Sequence, residues 1–176
     1  MPKQLKMTFT CSVCGQTHQE LPAIVYEAPY YYYNLSEQER IELAVLTHDF
    51  CIIQYSDQTD RFIRVVLNQK IIGSEETLQY GVWVSLSEKS YNDYAAHFKS
   101  PDYIASYFGY LSNQLPGYES TLSIKTTVET AINNNRPEIF PHDDQMDDPF
   151  VRDYYEGITR EEAERRIHAA YGMEIK

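Results

Sequence analysis

Three segments in succession, Phe50–Tyr55, Arg61–Leu67 and Tyr80–Leu86, are rich in β-branched and aromatic residues and are broken by polar loops such as Ser56–Asp60. This pattern constrains the chain more than any other. Side chains of that kind fit a pleated, half-buried surface, and clusters of Ser and Asp end strands. Parallel neighbours need a crossover of a dozen or more residues, usually a helix. No long helix separates these segments, so they pair antiparallel.

Helical signals lie on either side. Ser36-Glu37-Gln38-Glu39 is a capping box, and Ile41, Ala44 and Val45 follow at helical spacing. The run Tyr30-Tyr31-Tyr32-Tyr33 before it, bounded by Pro29, reads as a surface segment with alternate rings packed on the core. Ser87 caps a helix across Glu88 to Phe98, which Pro101 ends. Tyr107–Leu111 is a short strand, and Thr121–Ile132 a longer one that alternates through Leu122, Ile124, Thr126 and Val128. Pro116-Gly117 and Asn133-Asn134-Asn135 are turns, and Arg136–Phe140 is a short edge segment. Two helices close the chain, around Pro149–Glu156 and Arg160–Tyr171. Asp148 stands at the first N-cap, Gly157 between them, and Thr159-x2-Glu162 opens the second. The fold class that follows is α+β. It is a mainly antiparallel sheet with flanking helices, in one domain over residues 1–176.

Ahead of the sheet, residues 9–22 hold a knuckle-like turn, Cys11-x2-Cys14-Gly15-x2-His18. Two thiolates separated by two intervening residues clasp one metal, and Gly15 permits the turn that aims amides at the second sulfur. A structural zinc wants four ligands. Cys11, Cys14 and His18 supply three, and Cys51 is the natural distant fourth, with His48 in reserve. A Cys3His set is closed and therefore structural. Inert thiols and a redox Cys-x2-Cys remain open beside it. Three cysteines make an odd number, unlike a secreted disulfide framework, so the expected compartment is the reducing cytoplasm.

The net charge of −11 argues against nucleic acid as a partner, which needs a basic face, and no stretch is apolar enough to enter a membrane. Between Glu138 and Glu164, ten acids stand against two bases, −8 in that segment alone. Such a surface keeps the protein soluble and also suits a basic protein partner. No phosphate-binding glycine loop, nucleophile elbow or His-Glu-x2-His pattern is present. The candidates for an enzyme site are Arg64 and Trp83 on the sheet, the tyrosines, and His142 with Asp143, Asp144, Asp147 and Asp148.

Phe9-x-Cys11-x2-Cys14-Gly15-x2-His18-x2-Leu21-Pro22 resembles the start of the bacterial proteins grouped as domain of unknown function 2199. Further matching elements fall in order along the chain: Asp49-x-Cys51-x-Ile53, Phe62-Ile63-Arg64, Gly81–Leu86, Phe108–Asn113, Leu115–Tyr118, Arg136-Pro137 and Gly157-Ile158-Thr159. The resemblance implies one domain across nearly the whole chain and groups Cys11, Cys14, His18 and Cys51 together. It does not extend to His142, because Asp148-Pro149-Phe150 stands where the family pattern has a His-Pro-Leu-like element. Two functional expectations follow. One is a non-catalytic protein-binding or regulatory module scaffolded by zinc. The other is an enzyme whose site unites Arg64, Trp83, the tyrosines and the His142 cluster.

Overall fold

The computed structural model describes residues 20–171 and, outside that span, the backbone of three short strands. In chain order the strands are β1 (Phe9–Thr10), β2 (Thr17–His18), β3 (Ile24–Val25), β4 (Ala44–Leu46), β5 (Phe50–Gln54), β6 (Thr59–Lys70), β7 (Thr77–Leu86), β8 (Ser106–Leu111), β9 (Lys125–Glu129), β10 (Glu138–Pro141) and β11 (Glu174–Ile175). The helices are α1 (Tyr30–Tyr33), α2 (Glu37–Leu43), α3 (Glu88–His97), α4 (Pro149–Glu156) and α5 (Arg160–Tyr171). No helix among the described residues is long and apolar enough to cross a membrane.

From β6 to β10 each strand pairs antiparallel with the one before it. A meander of five strands returns its last strand in the direction of its first, so closure has to be parallel. β10 meets β6 in that sense at Glu138↔Val66, and the Val66 amide donates to the Pro137 carbonyl at 2.8 Å. β6 is long enough to serve a further neighbour. Its first half pairs antiparallel with β5, which carries β4 on its other side. β3 adds to β7 in parallel, and β1 pairs with β2 and β11. The protein is thus α+β, but its sheet is mixed and closes into a five-strand barrel. The expected antiparallel sheet with flanking helices contained no closure, because closure depends on which distant strands meet.

Alternation along the strands puts Ile63, Val65 and Leu67 of β6, Tyr80, Val82 and Val84 of β7, and Leu111, Val128 and Ile139 in one core. Tyr91 and Tyr94 of α3, Phe150 and Val151 of α4, and Ala163 and Ile167 of α5 join it. Each large side chain buried there contributes roughly 1.5–3 kcal/mol, against about 1 kcal/mol for a typical helix cap. The opposite side chains of β5–β7 form a second cluster, Cys51, Ile53, Phe62 and Trp83 beneath Leu35. Tyr31 and Tyr32 cover it, Tyr31 stacking on Phe62 at 5.8 Å between ring centroids. The tyrosine run is therefore a helical turn with an adjacent pair packed, rather than a surface segment with alternate rings packed.

Local chemistry explains most boundaries. The Ser36 capping box forms in both directions, Ser87 accepts from the Ser90 amide, and Asp148 accepts from the Phe150 and Val151 amides ahead of Pro149. Three boundaries depart from expectation. α2 stops at Leu43 because Ala44–Leu46 pair with β5, which leaves Ile41 and Val45 78% and 65% exposed rather than in a buried helical stripe. The long strand 121–132 shrinks to β9, since Ser123 is left-handed (φ 66°) and the Thr121 hydroxyl is bonded to the Leu115 amide and Asn113 carbonyl. The segment Arg136–Phe140 is no edge. β10 lies between β9 and β6, where Pro137 needs only its carbonyl.

Candidate functional site

The residues expected to make an enzyme site fall into separate places. Arg64 and Trp83 are direct partners across β6 and β7. The indole N–H donates to the Tyr26 carbonyl at 2.9 Å, and Asn113 takes the Trp83 amide while donating to the Ala28 carbonyl. These bonds fasten the covering segment to the barrel wall. Arg64 donates to the His48 carbonyl at 3.3 Å and lies 3.8 Å from the Glu27 carboxylate, with its Nε buried and unbonded. His142 is elsewhere. Glu138 is level with Val66 and β10 runs parallel to β6, so His142 is displaced from Arg64 by roughly 20 Å along the strands. Its Nε2 is 3.0 Å from the Thr127 hydroxyl and its ring meets that of Phe108 edge-on. Asp144 is bonded to Lys125, which holds its carboxyl below the usual carboxylate range, and Asp148 is spent as a helix cap. The enzyme site drawn from sequence does not assemble, because register keeps its two halves apart.

Of the expected zinc ligands, Cys11, Cys14 and the side chain of His18 lie outside the described residues. Cys51 is fully buried among Leu35, Ile53, Phe62 and Trp83, and that burial pushes its thiol up to about 12. No group of three potential metal-ligating side chains comes together among the described residues. His48, the reserve ligand, is turned to other use: its Nδ1 is 2.8 Å from Arg136 Nη2.

What the barrel does assemble is an open face. Register and alternation place three rows of side chains across the outer side of β8, β9 and β10. The first row is Ser106, Glu129 and Glu138, and the second is Phe108, Thr127 and Phe140. The third is Tyr110 and Lys125, with His142 beyond them bonded through its amide to the Lys125 carbonyl. Phe108 and Tyr110 are 47% and 43% exposed and touch edge to face at 5.0 Å. Their strand is pulled tight against β7: a Cβ at Gly109 would lie 2.9 Å from the Ser85 carbonyl oxygen. Glu129 and Glu138 stand directly opposite each other, a like-charge pair that costs stability on a sheet. Glu138 accepts a hydrogen bond from Asn68 at 2.8 Å, but neither carboxylate has an ion pair among the described residues.

Two further polar assemblies escaped sequence reasoning. Arg166 is buried on α5, stacked over Tyr118 at 4.6 Å and donating to Glu162, Tyr118 and Tyr80. Tyr118 in turn donates to Asp153. With its donors committed to these fixed groups, Arg166 ties α5 and α4 to the barrel. The second assembly is a cavity of about 270 Å³ bordered by Asp49, Tyr94, His97, Tyr103 and Arg136. The elements Asp49-x-Cys51 and Arg136-Pro137 were its only sequence signals, and nothing local indicated that they meet.

The sequence model of the family described as "Uncharacterized protein conserved in bacteria (DUF2199)" matches residues 10–158, and the chain belongs to that family. No curated protein matched the chain, and no solved structure did. The elements that carried the resemblance now have physical roles. Asp49 pairs with Arg136, Trp83 and Asn113 fasten the covering segment, and Phe108 and Tyr110 make the open face.

Proposed function

We propose that this protein is a non-catalytic binding module that receives a basic segment of a partner protein on the outer face of β8–β10. The opposed Glu129 and Glu138 carboxylates beside exposed aromatic rings carry this reading. A lysine or arginine head group between them relieves their repulsion, and its aliphatic stem lies on Phe108 and Phe140. The acidic segment 138–164 extends the same sign of field and speeds encounter with a basic partner. The competing enzyme reading loses its support with the separation of Arg64 from His142.

The test is an NMR titration of the labelled protein with an oligoarginine peptide, with oligoglutamate as control. The expected result is salt-sensitive amide shifts over residues 106–110, 125–129 and 138–142, abolished by Glu129→Gln. Shifts confined to α4 and α5, or unaffected by that substitution, would mean that the face is not the site.

The zinc reading belongs with this proposal as a scaffold: Cys11, Cys14, His18 and Cys51 around one ion, in a reducing cytoplasm. It rests on spacing, and the apolar surroundings of Cys51 fit it least well. Metal analysis is expected to find about one zinc per chain, lost with Cys14→Ser. Zinc retained in Cys51→Ala would move the fourth ligand elsewhere.

A further inference from the structure

We infer that the cavity between the C-terminal end of α3 and the β9–β10 turn is a binding site for a small aromatic carboxylate. The inference is independent of the β8–β10 face. The cavity is about 270 Å³, just below the usual range for ligand pockets, so its occupant is a single ring with a short substituent.

Arg136 supplies the anchor. Its Nε donates to Asp49 Oδ1 at 2.8 Å and its Nη2 meets His48 Nδ1 at 2.8 Å. These two contacts hold the guanidinium plane. Nη1 has no hydrogen-bond partner among the described residues, and Nη2 keeps one N–H beyond its contact with His48, so the guanidinium retains donors for a carboxylate in the cavity that it borders. Such a pre-oriented fork matches the two oxygens of a carboxylate. Charge narrows the class further. Asp49 already offsets Arg136, and the chain carries −11, so a phosphate dianion is repelled where a monoanion is held.

The walls suit a ring. His97 and Tyr103 stack face to face at 3.8 Å with 7° between their planes, and Phe98 and Tyr94 also border the space. That plate is fixed in place, since His97 Nδ1 donates to the Asp93 carbonyl and Tyr103 donates to the Asp93 carboxylate at 2.6 Å. In the β9–β10 turn, Asn133 and Asn134 are both left-handed (φ 62° and 57°), a conformation asparagine adopts more readily than most residues, and Asn134 borders the cavity. The Asn133 amide bonds to the Pro101 carbonyl and holds the turn against the segment after α3. The site is built before any ligand arrives.

The experiment is an NMR titration of the full chain with benzoate, with benzylamine and phenyl phosphate in parallel. Benzoate is expected to shift the amides of residues 97–103 and 130–136 and the Arg136 Nε–H, with a dissociation constant on the order of 1 mM for so small a probe. Benzylamine should leave them unmoved, and phenyl phosphate should bind more weakly than benzoate. Arg136→Gln should weaken benzoate about tenfold or more. Because that change also breaks the Asp49 pair, Asn135→Trp serves as a second variant: Asn135 is exposed at the border of the cavity, and the indole would fill it. Loss of benzoate shifts in a folded Asn135→Trp supports the site. Benzoate that binds both variants unchanged, binds no better than benzylamine or phenyl phosphate, or does not bind at all would overturn the inference.

Discussion

Two stretches of one barrel wall carry aromatic rings on their outer side and treat them in opposite ways. Over β5–β7, Phe62 and Trp83 are wholly buried, roofed by Leu35, Tyr31 and Tyr32 and bonded to the covering segment through Trp83 and Asn113. Over β8–β10, Phe108 and Tyr110 stay nearly half exposed, in register with Phe140 and two opposed glutamates. The covered half follows the logic of stability: apolar surface is removed from water and every buried polar atom of the indole finds a partner. The open half does not. Contiguous exposed aromatics next to a like-charge pair with no ion pair among the described residues are unfavourable in the isolated protein, and the proposed docking face rests on that contrast.

Substitutions separate the two halves. Trp83→Ala should have the largest effect, lowering stability by about 3–5 kcal/mol, because it empties the covered cluster and frees the Tyr26 carbonyl. A shift of the urea midpoint reports it. Gly109→Ala should follow at about 1–3 kcal/mol, since the new methyl must displace the Ser85 carbonyl at the junction of β7 and β8. An unchanged midpoint there would mean that the two strands have room to part. Phe108→Ala should change stability by no more than about 0.5 kcal/mol while abolishing oligoarginine binding. If it instead destabilised the protein as Trp83→Ala does, the open half would be part of the core and the contrast would fail.

The smallest effect concerns pH and Tyr107, the chain neighbour of Phe108 on β8. Tyr103 and Tyr107 both donate to the Asp93 carboxylate and hold it below the ordinary carboxylate range. A folded value depressed in this way adds stability above the unfolded value of roughly 4, and that addition is lost as pH falls through the folded value. The midpoint of Asp93→Asn should therefore depend less on pH below about 4 than that of the unaltered protein. Parallel curves would show that the two phenols do not favour the charged form.

Much of the fold was legible because it is local. The capping oxygens of Ser36, Ser87 and Asp148, the left-handed Gly157 and the alternation through Arg61–Leu67 and Tyr80–Leu86 act within a few residues of themselves. The failures were cases where a distant strand outbid a local preference. Ala44–Leu46 had helical spacing but found β5, and Arg136–Phe140 looked like an edge but found both β9 and β6. Arg64 was grouped with His142 in one candidate site, yet its neighbours are the His48 carbonyl and the Glu27 carboxylate.

The sequence by itself determined that this chain is α+β, where α2, α3, α4 and α5 begin, which strand faces are apolar, and which family it resembles, since these depend on spacing and side-chain type. Only the tertiary structure decided that five strands close into a barrel through one parallel pair, and that one half of the outer wall is roofed while the other is bare. Closure joins Val66 to Glu138, and the packing around it brings Asp49 to Arg136 and Tyr118 to Arg166, contacts between residues far apart in the chain that no local pattern encodes. The proposed docking face depends on the register of β8, β9 and β10, and the proposed carboxylate cavity on the meeting of Asp49 with Arg136, which is why neither could be read before the strands were in register.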